Sequence, residues 1–128
     1  MRGALNREVP MIRFQIVERA GADLYHVLLH AMRSKELRTF IAARRGKRIQ
    51  HVSKSYHGWM NWSVSHGVIG CEVISPRKPG GEWQLFSAFL GRLADRYADR
   101  IAAINVQFPE GLAAAPAPTR KRRARRKR

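Results

Sequence analysis

The chain concentrates its aromatic and imidazole side chains in residues 53–67, SKSYHGWMNWSVSHG. This stretch holds two of the three Trp, one of the three Tyr and two of the five His, and it contains no acidic residue. Rings beside cations bind single-stranded nucleic acid, because the rings stack on bases while the cations hold phosphates. Histidines can instead act as general acid and base. The stretch therefore predicts either a stacking surface or an acid–base site.

The stacking hypothesis uses four side chains that follow Lys54 in a predicted β-hairpin: Tyr56, His57, Trp59 and Trp62. Side chains alternate across a strand, so Trp59 and Trp62 are expected on opposite faces. One ring can then face the core while the other faces solvent. The alternative is that Trp62 packs with Met60 and Val64 and that Trp59 merely covers an edge.

The catalytic hypotheses have less support in the sequence. His51, His57 and His66 could serve a metal-independent nuclease, whereas the nine scattered acids offer no carboxylate cluster for a metal-dependent one. Asp23, His26 and His30 would share a helix face, but no further ligand has diagnostic spacing. The loop KPGGEW lacks the Lys-Ser/Thr pair of a nucleotide site, and Cys71 is expected to be buried in a strand. We therefore predict no catalytic residue, metal or cofactor.

Net charge points to a polyanionic partner. The chain has 25 Lys and Arg against 9 Asp and Glu, a formal net charge of +16. The last ten residues carry no acid and eight of these cations, leaving +8 on residues 1–118. The cations of this tail are predicted phosphate contacts: Arg120, Lys121, Arg122, Arg123, Arg125, Arg126, Lys127 and Arg128. Because body and tail are both basic, nucleic acid is the favoured partner.

A second group of cations lies in the body, with Glu36 as its only acid. It is expected to line one edge of the sheet and to bind phosphates, and it comprises Arg33, Lys35, Arg38, Arg44, Arg45, Lys47, Arg48 and Lys54. A solvated helix face is the alternative, although such faces usually carry mixed signs. A third row, Arg92, Arg96 and Arg100, is interspersed with Asp95 and Asp99 at pairing distance, and we interpret it as structural.

Hydrophobic periodicity predicts the elements that must position these residues. Residues 11–17 and 101–108 alternate between apolar and polar side chains, as half-buried strands do. Residues 47–56 and 68–75 are two further predicted strands, and residues 83–100 form the clearest helix. The order predicts an α+β, βαββαβ ferredoxin-like sandwich, with an antiparallel sheet and helices on one face. Its open face would show Arg13, Gln15, Asn105 and Gln107.

The first helical region has two interpretations. Leu24, Leu28 and Ala31 share one face, whereas Leu37 and Phe40 fall nearly opposite in a continuous helix. A break near Ser34 resolves the phase and predicts a second short helix over residues 35–45, ended by Gly46. The alternative is one long helix that buries both sides.

The domain organisation follows from composition. Residues 11–110 are predicted to form a single domain, after a flexible lead over residues 1–10 and before a Pro/Ala linker and disordered basic tail over residues 111–128. A lone cysteine predicts a cytoplasmic protein, and the absence of a long apolar run predicts no membrane partner. The Ala/Arg-rich composition indicates a bacterial or phage setting, whereas in a eukaryotic or viral setting the tail KRRARRKR would suit nuclear import.

These observations predict a small, basic, non-enzymatic protein that binds RNA or single-stranded nucleic acid. The alternative is an interaction subunit that docks onto a larger nucleoprotein complex or an acidic protein through the aromatic hairpin. RNA-recognition modules carry Phe or Tyr on the open face of their central strands, and the predicted strands MIRFQIV and VIGCEVIS lack such exposed rings. Any binding is therefore expected to differ in detail from that module.

Overall fold

The computed structural model describes residues 11–77 and 80–108. The predicted lead, linker and basic tail lie outside these ranges. The described elements, in chain order, are β1 (Ile12–Glu18), α1 (Leu24–Arg33), β2 (Phe40–Ala43), β3 (Arg48–His51), β4 (Trp59–Ser65), β5 (Val68–Ile74), α2 (Gly81–Arg96), a 3-10 turn (Ala98–Arg100) and β6 (Ile101–Gln107).

The strands form one antiparallel, six-stranded sheet in the order β2-β3-β4-β5-β1-β6. The predicted α+β class and antiparallel sheet are therefore confirmed. The sheet has two strands more than the simple βαββαβ arrangement, because the hairpin β2–β3 is inserted between α1 and β4. This hairpin extends the sheet beyond β4 and makes β2 an edge strand.

Alternation along the strands gives the sheet one apolar face, which α1 and α2 cover. In β1, Ile12, Phe14 and Ile16 are buried while Arg13 and Gln15 are exposed. Four phenylalanines link the sheet to α2: the rings of Phe14 and Phe86 lie 4.8 Å apart, and those of Phe40 and Phe89 lie 5.2 Å apart. Truncating one such buried ring to Ala typically destabilises a fold by about 3–5 kcal/mol.

The other face of the sheet is open and polar, as predicted. Register pairs Arg13 with Gln107 and Gln15 with Asn105, and all four side chains are exposed. The predicted strand over residues 68–75 is confirmed as β5, with Ile69, Cys71 and Val73 buried. The helix predicted from residue 83 is confirmed as α2. Strand alternation thus produces a solvent-facing surface that neither helix covers.

The prediction for residues 35–45 is wrong in part. α1 does end near Ser34, which is its C-cap, but the following residues form a loop, β2 and a turn rather than a second helix. Phe40 is buried whereas Ile41 is 43% exposed, which is the alternation of a strand. Adjacent apolar residues fitted a helical stripe, but pairing of β2 with β3 decides the conformation. Gly46, predicted to end a helix, lies instead in the hairpin turn.

A hydrogen bond from the end of β1 fixes the start of α1. The first helical N–H, that of Leu24, donates a 2.8 Å hydrogen bond to Glu18 Oε1 at the end of β1. This bond satisfies one of the unpaired donors that every helix start exposes.

Within residues 11–77 and 80–108, neither helix has the length and hydropathy needed to cross a membrane.

Candidate nucleic-acid interface

Arg48 and Trp59 form a stacked pair on the open face of the sheet. Arg48 of β3 lies opposite Asn61 of β4. Trp59 precedes Asn61 by two residues in β4, so Trp59, Asn61 and Arg48 all project from the same face of the sheet. The guanidinium carbon of Arg48 lies 4.2 Å from the centre of the Trp59 ring, which is cation–π geometry. The Trp59 indole N–H is buried, with no hydrogen-bond partner in the part of the chain that the structure describes.

Gly58 sets the position of Trp59. Its φ of 96° belongs to the left-handed region that favours glycine, and a Cβ there would collide with the carbonyl oxygen of Ile74. The chain can therefore approach β5 closely immediately before β4 begins. This close approach holds the start of β4 in register, with Trp59 paired with Ile74.

Trp62 lies on the helix side, which corrects its assignment to the binding surface. It is 5% exposed, and its indole Nε1–H donates a 2.6 Å hydrogen bond to the Gly46 carbonyl oxygen. The Tyr25 ring of α1 lies 4.4 Å from it, centre to centre. A ring held in the core in this way cannot stack on a base. The predicted division of the two tryptophans between faces is confirmed.

Tyr56 does not join Trp59 in one stacking surface. Its ring stacks on His51 at 3.9 Å with an interplanar angle of 12°, and it packs against the core. It lines a shallow groove with Trp83 of α2, on the helix side of the sheet. Lys54 and His57 are exposed in the loop between β3 and β4. The predicted grouping of Lys54, Tyr56 and Trp59 is therefore divided between the two faces.

The basic group of the body divides among three places instead of lining one edge. Five members gather at the β2–β3 turn and are called here the hairpin-turn cluster: Arg33, Arg44, Arg45, Lys47 and Arg48. Arg33 belongs to it because its guanidinium lies beside Gly46, where an added Cβ would be 3.1 Å from the Arg33 Nη2. Lys35 and Arg38 lie in the loop between α1 and β2, and Lys54 lies beyond the far end of β3.

The third arginine row makes structural contacts, in line with its interpretation from the sequence. Arg92 and Arg96 lie in α2, and Arg100 lies in the 3-10 turn that follows. Arg92 pairs with Asp95 at 3.8 Å. Arg96 donates to the Glu36 carbonyl oxygen at 3.0 Å, and Arg100 donates to the Ala22 carbonyl oxygen at 3.1 Å. These two bonds connect the loops before and after α1 to α2 and to the 3-10 turn that follows it. They account for this row without a ligand.

A groove of about 560 Å³ lies over the middle of the open face. Its floor includes Gly70 of β5, where an added Cβ would meet nothing within 4 Å. Polar side chains from four strands and the hairpin turn surround it: Arg13, Gln15, Lys47, Asn61, Ser63, Glu72 and Gln107. Arg13 Nε lies 3.5 Å from Glu72 Oε2. Sequence reasoning missed this site, although a glycine inside a strand pattern is a signal of close approach.

His66 lies apart from the other two histidines of the nuclease hypothesis, His51 and His57. His51 accepts a 2.9 Å hydrogen bond from the Ser53 backbone N–H, and burial lowers the pKa of His51. His66 lies in the turn after β4, roughly 20 Å along that strand from the loop that carries His57. His66 therefore cannot act with His51 or His57 on one bond in this conformation.

The other candidate chemical groups are isolated. Asp23 Oδ1 lies 2.8 Å from His26 Nδ1, but no cluster of three metal-ligating side chains occurs among residues 11–77 and 80–108. Cys71 is buried beneath the sheet, and burial raises the pKa of its thiol, which keeps it protonated. The predicted tail contacts, residues 120–128, lie outside the described ranges.

Comparisons with protein-family models, curated proteins and solved structures gave no match to this chain.

Proposed function

We propose that the protein binds single-stranded nucleic acid, RNA or DNA, across the open face of its sheet. The Arg48–Trp59 stack carries the proposal, because it places an aromatic surface and a cation together on a solvent-facing sheet. Bases stack on aromatic rings and on guanidinium planes, so a base can stack next to the Arg48–Trp59 pair. The loss of Trp62 and Tyr56 from the predicted site leaves Trp59 as its stacking residue.

The hairpin-turn cluster supplies the phosphate contacts. Arg48 belongs both to this cluster and to the stack, so the phosphate-binding and base-binding parts are continuous. Its five members contain no carboxylate, and the chain as a whole carries +16, which favours rapid encounter with a polyanion. Lys47 also reaches the groove over Gly70, which extends the positive surface towards the middle of the sheet.

A single strand suits this surface better than a duplex does. Stacking on Trp59 requires a base whose face is free, whereas the bases of a duplex stack on each other. Among residues 11–77 and 80–108, the open face offers polar side chains and no protruding helix or ribbon of the kind that enters a major groove. A duplex is therefore expected to bind through phosphate contacts alone and more weakly at physiological salt.

The fold is proposed to be an enlarged ferredoxin-like sandwich. Support comes from the inner order β4-β5-β1-β6, which with α1 and α2 follows the split βαβ pattern. In this description the β2–β3 hairpin is an insertion, and it brings both Arg48 and most of the hairpin-turn cluster. The part that departs from the simple fold would then be the part that binds phosphates.

A second candidate function is docking onto a nucleoprotein complex or an acidic protein. Ile41 of the edge strand β2 is 43% exposed and Val52, which follows β3, is 50% exposed, with Lys35 and Arg38 around them. An apolar patch bordered by cations suits an acidic protein surface. A partner that is retained after nuclease treatment and lost from an Ile41→Lys variant would favour docking. Loss of the partner on nuclease treatment alone would favour nucleic acid.

The test of the main proposal is binding of a fluorescent single-stranded oligonucleotide, measured by anisotropy. Trp59→Ala should weaken binding about 5- to 150-fold, the range for loss of one stacked ring. Because Trp59 is uncharged, the slope of log affinity against log salt should not change. The control is Trp83→Ala, since Trp83 is 44% exposed on the helix side. Equal affinities of wild type and Trp59→Ala would contradict the proposal.

A further inference from the structure

The groove over Gly70 lies on the same face as the Arg48–Trp59 stack but takes no part in it. Trp59 and Asn61 are alternate residues of β4, about 7 Å apart along the strand. Asn61 pairs across the sheet with Glu72, and Ser63 pairs with Gly70. A strand that stacks at Trp59 and continues along β4 therefore passes directly over the groove.

We infer that the groove is a nucleobase site that prefers guanine, an inference that rests on the proposed function. The missing side chain at Gly70 leaves space for a flat ring between the side chains of its neighbours, Gln15 and Ser63. Arg13 and Glu72 stand side by side at one wall, 3.5 Å apart and both partly exposed. They present hydrogen-bond donors next to a carboxylate that only accepts.

This order of donors and acceptors matches guanine. The Watson–Crick edge of guanine carries the O6 acceptor beside two donors, N1–H and N2–H₂. The Arg13 guanidinium can donate to O6 while the two oxygens of Glu72 accept from N1–H and N2–H₂. The pairing uses both charged side chains without separating them, so Arg13 still offsets the charge of Glu72. Neither has to lose its present partner when the base binds.

The other bases make fewer hydrogen bonds to Arg13 and Glu72 than guanine does. Adenine and cytosine each offer the carboxylate one amino group, and uracil offers it a single ring N–H. Only guanine gives the carboxylate two adjacent donors, and a bidentate contact is the kind that discriminates between bases. The amides of Gln15, Asn61 and Gln107 can donate or accept, so they tolerate any base and add little selectivity.

The test compares uridine oligonucleotides of equal length that carry one central guanosine, inosine, adenosine or cytidine. The guanosine oligonucleotide should bind about tenfold more tightly than the adenosine and cytidine oligonucleotides, as expected for one bidentate base contact. Inosine is the sharpest comparison, because hypoxanthine keeps O6 and N1–H and lacks only the N2 amino group. Inosine should therefore bind more weakly than guanosine, by several-fold.

Two variants locate the preference in the groove. Glu72→Gln keeps the size of the side chain but removes the bidentate acceptor, so the guanosine preference should disappear. Because this change also raises the net charge by one, affinity for the plain uridine oligonucleotide should rise slightly. The charge-matched control is Asp95→Asn, which removes the carboxylate paired with Arg92 on α2 and should leave the preference intact.

The second variant, Gly70→Val, fills the groove with a residue that suits a strand. It should also abolish the preference while Trp59 continues to stack. Its control is Gly91→Val, because Gly91 also has open space at its Cβ position but lies on α2.

The outcomes separate this inference from the proposed function. Equal affinity for all four oligonucleotides, with Trp59→Ala still weakening each, would overturn the guanine site and leave the stacking proposal standing. A preference that survives Glu72→Gln would likewise overturn it. No binding of any oligonucleotide would overturn both. A guanosine preference lost in Glu72→Gln and Gly70→Val, and kept in both controls, is the expected result.

Discussion

Trp59 combines two properties that are unusual for one side chain. Its ring lies on the solvent-facing side of the sheet beneath the Arg48 guanidinium, yet its indole N–H is buried and lacks a hydrogen-bond partner among the described residues. An unpaired buried donor costs about 1–3 kcal/mol of stability. Such a group in a folded protein calls for an explanation, and a ligand acceptor that reaches it when Arg48 shifts is the one consistent with the proposed function.

His51 provides a prediction about pH at the same scale. Burial lowers the pKa of His51 below its ordinary value of 6.5, and its Nδ1 accepts the Ser53 N–H as a neutral ring. As the pH falls, the unfolded chain binds this proton before the folded protein does, so protonation favours unfolding. The contribution of His51 to stability is therefore full above about pH 6.5 and declines as the pH falls below that value.

Thermal unfolding between pH 7.5 and pH 5 measures this effect. His51→Gln should show a smaller fall in Tm over this interval than wild type, because the titrating group is gone. His57→Gln serves as the control, since His57 is exposed in the following loop. An unchanged pH dependence in His51→Gln would show that His51 is not the group responsible.

At the scale of elements, the β2–β3 turn holds two arginines in a strained backbone. Arg44 and Arg45 have φ values of 53° and 59°, in the left-handed region where most side chains are unfavourable. Asn and Gly are the residues that such turns prefer. Backbone strain lowers stability and persists mostly at functional sites. Strain at this cluster of cations is therefore consistent with a binding site.

Replacing both arginines, as Arg44→Asn with Arg45→Gly, should raise stability and impair binding together. Relief of strain of about 1 kcal/mol would raise Tm by about 4–8 °C in a domain of this size. Loss of two phosphate contacts should reduce the salt slope by about 1.4 for a single strand. The control is Lys35→Asn, because Lys35 also has a positive φ, 68°, but lies outside the hairpin-turn cluster.

Calorimetry and anisotropy together decide this prediction. The Lys35 control should gain stability without changing the salt slope. A double variant that is stabilised and binds as tightly as wild type, with the same slope, would remove the turn from the interface.

The sequence predicted elements better than it predicted their partners. Alternation alone located β1, β5 and β6 and divided Trp59 from Trp62. It could not locate the hairpin, because Phe40 and Ile41 fit a helical stripe until β2 is paired with β3. Nor could it bring Arg48 to Trp59, since that contact depends on the register of Arg48 with Asn61. The groove over Gly70 needs the full strand order, because its walls come from β1, β4, β5 and β6.

At the scale of the whole molecule, the body and the basic tail should contribute separately to binding. Deleting residues 119–128 removes eight cations and should reduce the salt slope by up to about 6 on a single strand. The open face remains, so Trp59→Ala should still weaken binding in the shortened protein. An unchanged slope would show that the tail makes no phosphate contact. Loss of the Trp59 effect would place base binding in the tail instead.

The central claim is that the open face of the sheet, and not the helix side, receives the nucleic acid. The three tryptophans test it directly, because Trp59 lies on the open face, Trp62 lies in the core and Trp83 lies on α2. Their indole N–H signals can be followed by ¹H–¹⁵N NMR as a single-stranded oligonucleotide is added, with assignments from Trp→Phe variants. We expect the Trp59 signal to shift strongly while those of Trp62 and Trp83 change little. A strong shift at Trp83 with Trp59 unmoved would contradict the claim.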